Sequence, residues 1–105
     1  MKETDIQNSI RLALSPYGVV IRQNTGNFLT ADGRHVVCGI TGLSDLLFIG
    51  NGKVAFIEVK TDIGKPSKEQ ICFIKRMQEL GHAAGICRSV DEALKLIGVD
   101  NIGFK

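Results

Sequence analysis

Apolar residues recur at helical spacing near the start of the chain and predict a first helix. The positions concerned are Ile6, Ile10, Ala13 and Leu14. Thr4 and Gln7 have the spacing of a capping box, in which two side chains bond the backbone at a helix start. Pro16 and Gly18 interrupt the pattern, so we expect the helix to begin at Thr4 and to end before them.

The next stretch changes from helical to extended character. Residues 19–22 are rich in β-branched side chains and predict a strand. Residues 24–43 are punctuated by glycine and contain a single candidate strand, residues 35–38. A long irregular segment in a short protein is more often functional than accidental, so residues of this segment are candidates for a site.

Two apolar runs, residues 45–50 and 53–60, flank the dipeptide Asn51-Gly52 and predict a β-hairpin. Asn-Gly is the preferred centre of a two-residue type I′ turn, because both positions need a positive φ. One face of the hairpin would carry Leu47, Ile49, Val54 and Phe56, and the other Leu46, Phe48, Ala55, Ile57 and Val59. Since both faces are apolar, we expect both to be buried and the strand pair to be central in its sheet.

The same turn fixes the register and places Asp45 opposite Glu58. Lys60 lies two residues beyond Glu58 and so shares its face. A β-bulge would shift this pairing by one residue without necessarily separating the two acids.

The remainder of the chain predicts two more helices with a strand between them. Ser67 and Gln70 form a capping box for the second helix, and Ser89 and Glu92 cap the third. The apolar stripe of the second helix is Ile71, Ile74, Met77 and Leu80, followed by Gly81 at its end. Residues 83–87 form the intervening strand. The order α-β-β-β-α-β-α predicts an α/β fold with a mixed central sheet flanked by helices.

Composition narrows the class of protein. The chain has 105 residues, 44% of them hydrophobic, which suits one domain spanning residues 1–105. A net charge of +2 permits nucleic-acid binding without arguing for it. The three widely spaced cysteines do not suggest a disulfide framework. No apolar run approaches the ~20 residues of a membrane helix, so we expect a cytoplasmic location.

The opposed acids indicate a metal site. Like charges facing each other destabilise a strand pair, and partly buried acids cost free energy unless a positive charge compensates them. A divalent cation is the natural compensator, and hard carboxylate oxygens suit Mg²⁺ or Mn²⁺. The alternative is that Glu58 simply pairs with Lys60 at a solvated strand end.

At these residues the sequence resembles a known family. Gly42-Leu-Ser-Asp45, twelve residues, and then Glu58-Val-Lys60 resembles the signature of the PD-(D/E)xK nucleases. The fuller pattern resembles the virus-type replication-repair branch, the VRR-NUC domain, over nearly the whole chain. The further matching residues are Glu3, Gln7, Arg22, Asn24, Gly26, Ser67 and Gln70. Ser44 departs from the pattern, since the family usually has a proline before the aspartate.

The resemblance implies a restriction-endonuclease-like core and phosphodiester cleavage dependent on Mg²⁺ or Mn²⁺. By position, Asp45, Glu58 and the Val59 carbonyl would bind the metal, and Lys60 would orient or activate the water. Glu3 would reach the metal directly or through water, and Gln70 would lie near the catalytic centre.

The expected function is an endonuclease for branched, flap or junction DNA, similar to Holliday-junction resolvases and acting as a homodimer. Candidate nucleic-acid contacts are Arg22, Asn24, Lys65 and Lys68. Two alternatives stay open: a catalytically inactive nucleic-acid-binding module, and a partner subunit of a repair or replication assembly.

Overall fold

A computed structural model describes residues 2–23, 26–29, 31–38, 42–100 and 103–104. Its helices are α1 (Glu3–Leu14), α2 (Lys68–Glu79) and α3 (Val90–Leu96), with a 3₁₀ turn at Ser15–Tyr17. Its strands are β1 (Val19–Arg22), β2 (Gly26–Leu29), β3 (His35–Cys38), β4 (Leu46–Gly50), β5 (Lys53–Val59), β6 (Ala83–Cys87), β7 (Val99–Asp100) and β8 (Gly103–Phe104). None of the described helices is long and apolar enough to cross a membrane.

Four strands form the main sheet in the order β1-β4-β5-β6. Strand β4 is antiparallel to both β1 and β5, whereas β6 runs parallel to β5. This confirms the predicted mixed sheet. The prediction missed β2, which pairs with β3, and the short β7–β8 pair. These strands have two to four residues each, too few to show a period in the sequence.

The hairpin forms as the sequence indicates. Asn51 and Gly52 have φ of 51° and 71°, as a type I′ turn requires. Gly50 pairs with Lys53 beside the turn, and the ladder continues without a bulge to Leu46 and Ile57. The next residues along this register are Asp45 and Glu58, so the predicted pairing is confirmed up to the site.

One face of the sheet contains the main hydrophobic core, beneath α1 and α3. The buried cluster is Ile6, Ile10, Leu14, Leu46, Phe48, Ala55, Ile57, Val59, Cys87, Ala93, Ile97 and Val99. Every second residue of β4 and β5 contributes, which is the alternation expected of strands. The two strands are central in the sheet, as predicted.

The other face is only half covered, which corrects the expectation that both would be buried. Helix α2 lies over β5 and β6, where Phe56 and Phe73 meet edge to face with ring centroids 5.4 Å apart. Over β1 and β4, the apolar side chains of Val19, Ile21 and Ile49 stay 60%, 43% and 44% exposed. A single helix is too narrow to cover four strands.

The helix ends test the capping predictions. Ser67 and Gln70 form the predicted capping box of α2, and Gly81 follows that helix with φ of 92°. The box predicted for α1 is wrong, because α1 begins at Glu3 and its start has no side-chain cap. Gln7 is instead 7% exposed among the residues that α1 buries. The α2 stripe is correct at Ile74, while Ile71 and Leu80 are exposed because α2 covers only two strands.

Candidate metal centre

Asp45 and Glu58 meet at the edge of the sheet where β5 ends. Asp45 directly precedes β4, and its Oδ2 accepts a hydrogen bond of 2.9 Å from the backbone N–H of Val59. Glu58 is the neighbour of Val59 on β5 and is 1% exposed. The hairpin therefore brings the two carboxyl groups side by side on the face covered by α2, as the sequence predicted.

Glu58 is an acid in an unfavourable environment. The pKa of Glu58 is raised to about 8, first by burial, then by a hydrogen bond that its protonated form makes with Asp45, and then by the negative charge of Asp45. The charge of Glu3 acts in the same direction, and only Lys60 opposes the shift. The ionised Glu58 carboxylate is poorly solvated at this position, and this destabilises the folded chain.

The two oxygens of Glu58 differ. Oε1 accepts a 2.9 Å hydrogen bond from Gln70 Nε2 and lies 3.8 Å from Lys60 Nζ. In the ionised form, Oε2 is buried and accepts no hydrogen bond from any of the residues that the structure describes. A buried oxygen left without a partner costs free energy, and a hard cation beside Asp45 would remove that cost. The donor set therefore fits a divalent metal.

Gln70 connects this site to the start of α2. Its Oε1 accepts from the backbone N–H of Ser67 at 2.8 Å, and its backbone N–H donates to Ser67 Oγ at 3.1 Å. Because the amide oxygen is engaged in the capping box, the amide nitrogen faces Glu58. The sequence predicted the helix cap from the spacing of Ser67 and Gln70, and the position of Gln70 near the site from the family resemblance. In the structure, the one Gln70 side chain makes the cap and also contacts Glu58.

Lys60 follows β5 directly, and its backbone N–H donates to the Cys87 carbonyl at 3.2 Å. The Lys60 and Glu58 side chains are 15% and 2% exposed. The alternative of a solvated ion pair at a strand end is therefore wrong, since both members are largely withdrawn from water.

Two residues that sequence reasoning did not assign hold the chain on either side of Asp45. Ser44 is fully buried, and its Oγ donates to the Leu46 carbonyl at 3.2 Å. Gln23 donates from Nε2 to the Ser44 carbonyl at 3.2 Å and from its backbone N–H to the Asp45 carbonyl at 2.8 Å. The signal available was Ser44 itself, a polar residue where the resembled family has proline.

The other predicted site residues lie at varying distances from this centre. Glu3 begins α1 and is near enough for its charge to raise the pKa of Glu58. Arg22 ends β1 and is exposed, and Lys65 and Lys68 are exposed before and at the start of α2. Asn24 lies outside the described residues. Within the described part of the chain, no three His, Cys, Asp or Glu side chains cluster as a metal site, so backbone or water ligands would be needed.

The mixed sheet, the flanking helices and the acid pair at the end of β5 define an α/β domain with a candidate metal site. Comparison with known proteins gives one informative result. No family model matches the chain, and no curated protein matches it. A solved structure described as a VRR_NUC domain is similar, with 26% sequence identity and a TM-score of 0.64. The match covers 90% of this chain and 92% of the other, so it confirms the VRR-NUC resemblance and fold.

Proposed function

We propose that this chain is a metal-dependent endonuclease that hydrolyses phosphodiester bonds in branched, flap or junction DNA, in the manner of a Holliday-junction resolvase. The observation that carries the proposal is the buried, unpartnered Oε2 of Glu58 beside Asp45. Two adjacent acids at the end of a strand pair destabilise the fold because their charges repel. A cation bound between them removes that repulsion, so the pair is better explained by metal binding than by a domain that only binds DNA or a partner protein.

Asp45, Glu58 and the Val59 carbonyl would hold Mg²⁺ or Mn²⁺. The Val59 N–H bonds Asp45, and the N–H and C=O of one strand residue point to the same neighbouring strand, so this carbonyl is directed toward Asp45. Glu3 would contribute through a water molecule. A bound divalent cation lowers the pKa of water and neutralises charge on the phosphate.

Lys60 and Gln70 would support the reaction from the other side of Glu58. The Lys60 ammonium, 3.8 Å from Oε1, would orient the attacking water and stabilise a non-bridging phosphate oxygen as negative charge builds. Gln70 occupies Oε1 and so leaves Oε2 for the cation.

Substrate binding would use the basic side chains at the same edge. Arg22, Lys65 and Lys68 are exposed, and with Asn24 they are the proposed phosphate contacts. We propose a single domain over residues 1–105 that acts in the cytoplasm as a homodimer, because a branched substrate presents two strands for cleavage.

A cleavage panel tests the proposal. Single-strand, duplex, flap and four-way-junction DNA are incubated with Mg²⁺, Mn²⁺ or EDTA. We expect cleavage of the branched DNAs with either metal, none with EDTA, and a loss of about a hundredfold or more in Asp45→Asn. Asp5→Asn, which removes an exposed acid on α1, is the matched control and should cut normally.

Two outcomes count against it. Cutting by Asp45→Asn at the rate of the unmodified chain would refute the assignment of the site. Binding of the branched DNAs without cleavage in either metal would favour the inactive binding module, or a partner subunit, over the enzyme.

A further inference from the structure

A cleft of about 570 Å³ opens between α1, the loop after β5 and the start of α3. Each of its walls continues from a segment already discussed. Thr61 directly follows Lys60, and Arg88 follows Cys87, whose carbonyl accepts the Lys60 N–H. Ile6 lies one helical turn beyond Glu3. The cleft therefore lies at the same end of β5 and β6 as the acid pair, but on the other face of the sheet, the face covered by α1 and α3.

The residues that line the cleft suit a largely apolar group that carries polar atoms at its margin. Ile6, Ile63 and Val90 provide apolar surface, and Ile63 is 90% exposed. Ser9 and Thr61 contribute hydroxyl groups. The volume falls within the roughly 300–1,000 Å³ of small-molecule sites, enough for a nucleobase with its sugar.

The charges argue for a base and against a phosphate. Asp62 and Arg88 both line the cleft and offset each other's charge, and the first turn of α3 adds two acids nearby, Asp91 and Glu92, so the net charge around the cleft is negative and disfavours an anion. Arg88 Nη1 is engaged by the carbonyls of Thr61 and Gly64, which holds the loop wall in place.

We propose that this cleft receives an unpaired nucleobase of the substrate, one or two nucleotides from the cleaved phosphate. The inference rests on the proposed nuclease function and specifies its substrate class. A paired base cannot enter without being pulled from the duplex, which costs free energy. DNA with unpaired nucleotides at a branch would therefore bind in preference to continuous duplex.

The test measures binding, so that it does not depend on cleavage. Fluorescein-labelled flap DNAs carry an abasic site at one of the four nucleotides nearest the branch, and their affinity is measured by anisotropy with Lys60→Ala protein. We expect removal of the base at one or two of these positions to weaken binding about five- to tenfold. Abasic sites elsewhere should have no effect.

Ser9→Trp, added to Lys60→Ala, fills the cleft from an exposed position on α1 and should abolish the difference between intact and abasic DNA. Leu12→Trp adds a similar ring on the same helix outside the cleft, at a residue that is 75% exposed, and should preserve it. An equal affinity for intact and abasic DNA at all four positions overturns the proposal. So does a preference that survives Ser9→Trp.

The two proposals fail in different ways. If the unmodified chain cuts flap DNA but the binding assay shows no preference for intact over abasic DNA, only the proposal about the cleft is contradicted. Failure of the unmodified chain to cut, with the base preference present, contradicts the nuclease alone. Failure to bind any of these DNAs contradicts both.

Discussion

The Glu58 carboxyl links the stability of this protein to pH. Its ordinary pKa of 4.5 applies to the unfolded chain, and burial raises the pKa to about 8 in the folded one. Between these values the unfolded chain releases a proton that the folded chain retains. Folding stability without metal should therefore fall as the pH rises from about 4.5 to 8, and level off above.

Glu58→Gln should remove this pH dependence. Without metal, the variant should be more stable than the unmodified chain at pH 8 and unfold at a higher Tm, because an amide has no charge to bury. Thermal unfolding in EDTA from pH 5 to 9 measures it, with exposed Glu69→Gln as control. Parallel profiles for Glu58→Gln and the unmodified chain would show that Glu58 does not titrate as described.

Gln70 should matter to metal binding more than to folding. Gln70→Leu removes the donor to Glu58 Oε1, and we expect Mn²⁺ affinity to fall about tenfold by calorimetric titration. Ser67→Ala removes the other half of the capping box and should cost about 1 kcal/mol of stability while leaving Mn²⁺ affinity within about twofold. Equal effects of the two variants on Mn²⁺ affinity would mean that Gln70 acts only as a helix cap and does not support metal binding through Glu58.

At the scale of elements, the hairpin was predictable, and the way in which the helices pack on the sheet was not. The turn at Asn51 and Gly52 is a local signal, and it alone fixes the register that brings Asp45 to Glu58. The capping box expected for α1 failed because burial of Gln7 outweighs a local pattern. Placement of α2 over two strands, and with it the Gln70 bond to Glu58, depends on packing that no single segment encodes.

Gly42 joins two of these elements. Its φ is 83°, and a Cβ there would clash with the Glu69 carbonyl oxygen in the first turn of α2. Gly42→Ala should therefore cost about 3 kcal/mol or more and weaken Mn²⁺ binding, since Gln70 moves with that turn.

Gly52→Ala is the control for backbone strain alone. Gly52 has φ of 71° with no atom within 4 Å of an added Cβ, and its substitution should cost about 1 kcal/mol. Urea unfolding of both variants measures the difference. Equal losses would mean that the close contact with α2 is unimportant.

At the scale of the whole molecule, the sequence predicted the mixed sheet and the paired acids, and the VRR-NUC match agrees with that architecture. It did not predict the half-covered sheet, because apolar spacing shows which side chains share a face and not whether a helix covers that face. The cleft was equally hidden, since its walls come from three separated segments.

The proposed homodimer is a property of this scale. Light scattering after size exclusion should give about twice the 11.4 kDa of one chain at micromolar concentration. A mass of one chain, unchanged on adding branched DNA, would contradict it.

The most direct test of the central claim is the position of Mn²⁺ in crystals, located by anomalous scattering. We expect a peak roughly 2.0–2.3 Å from an oxygen of Asp45 and from Glu58 Oε2. A peak at another site only, or none at saturating Mn²⁺, would contradict the account.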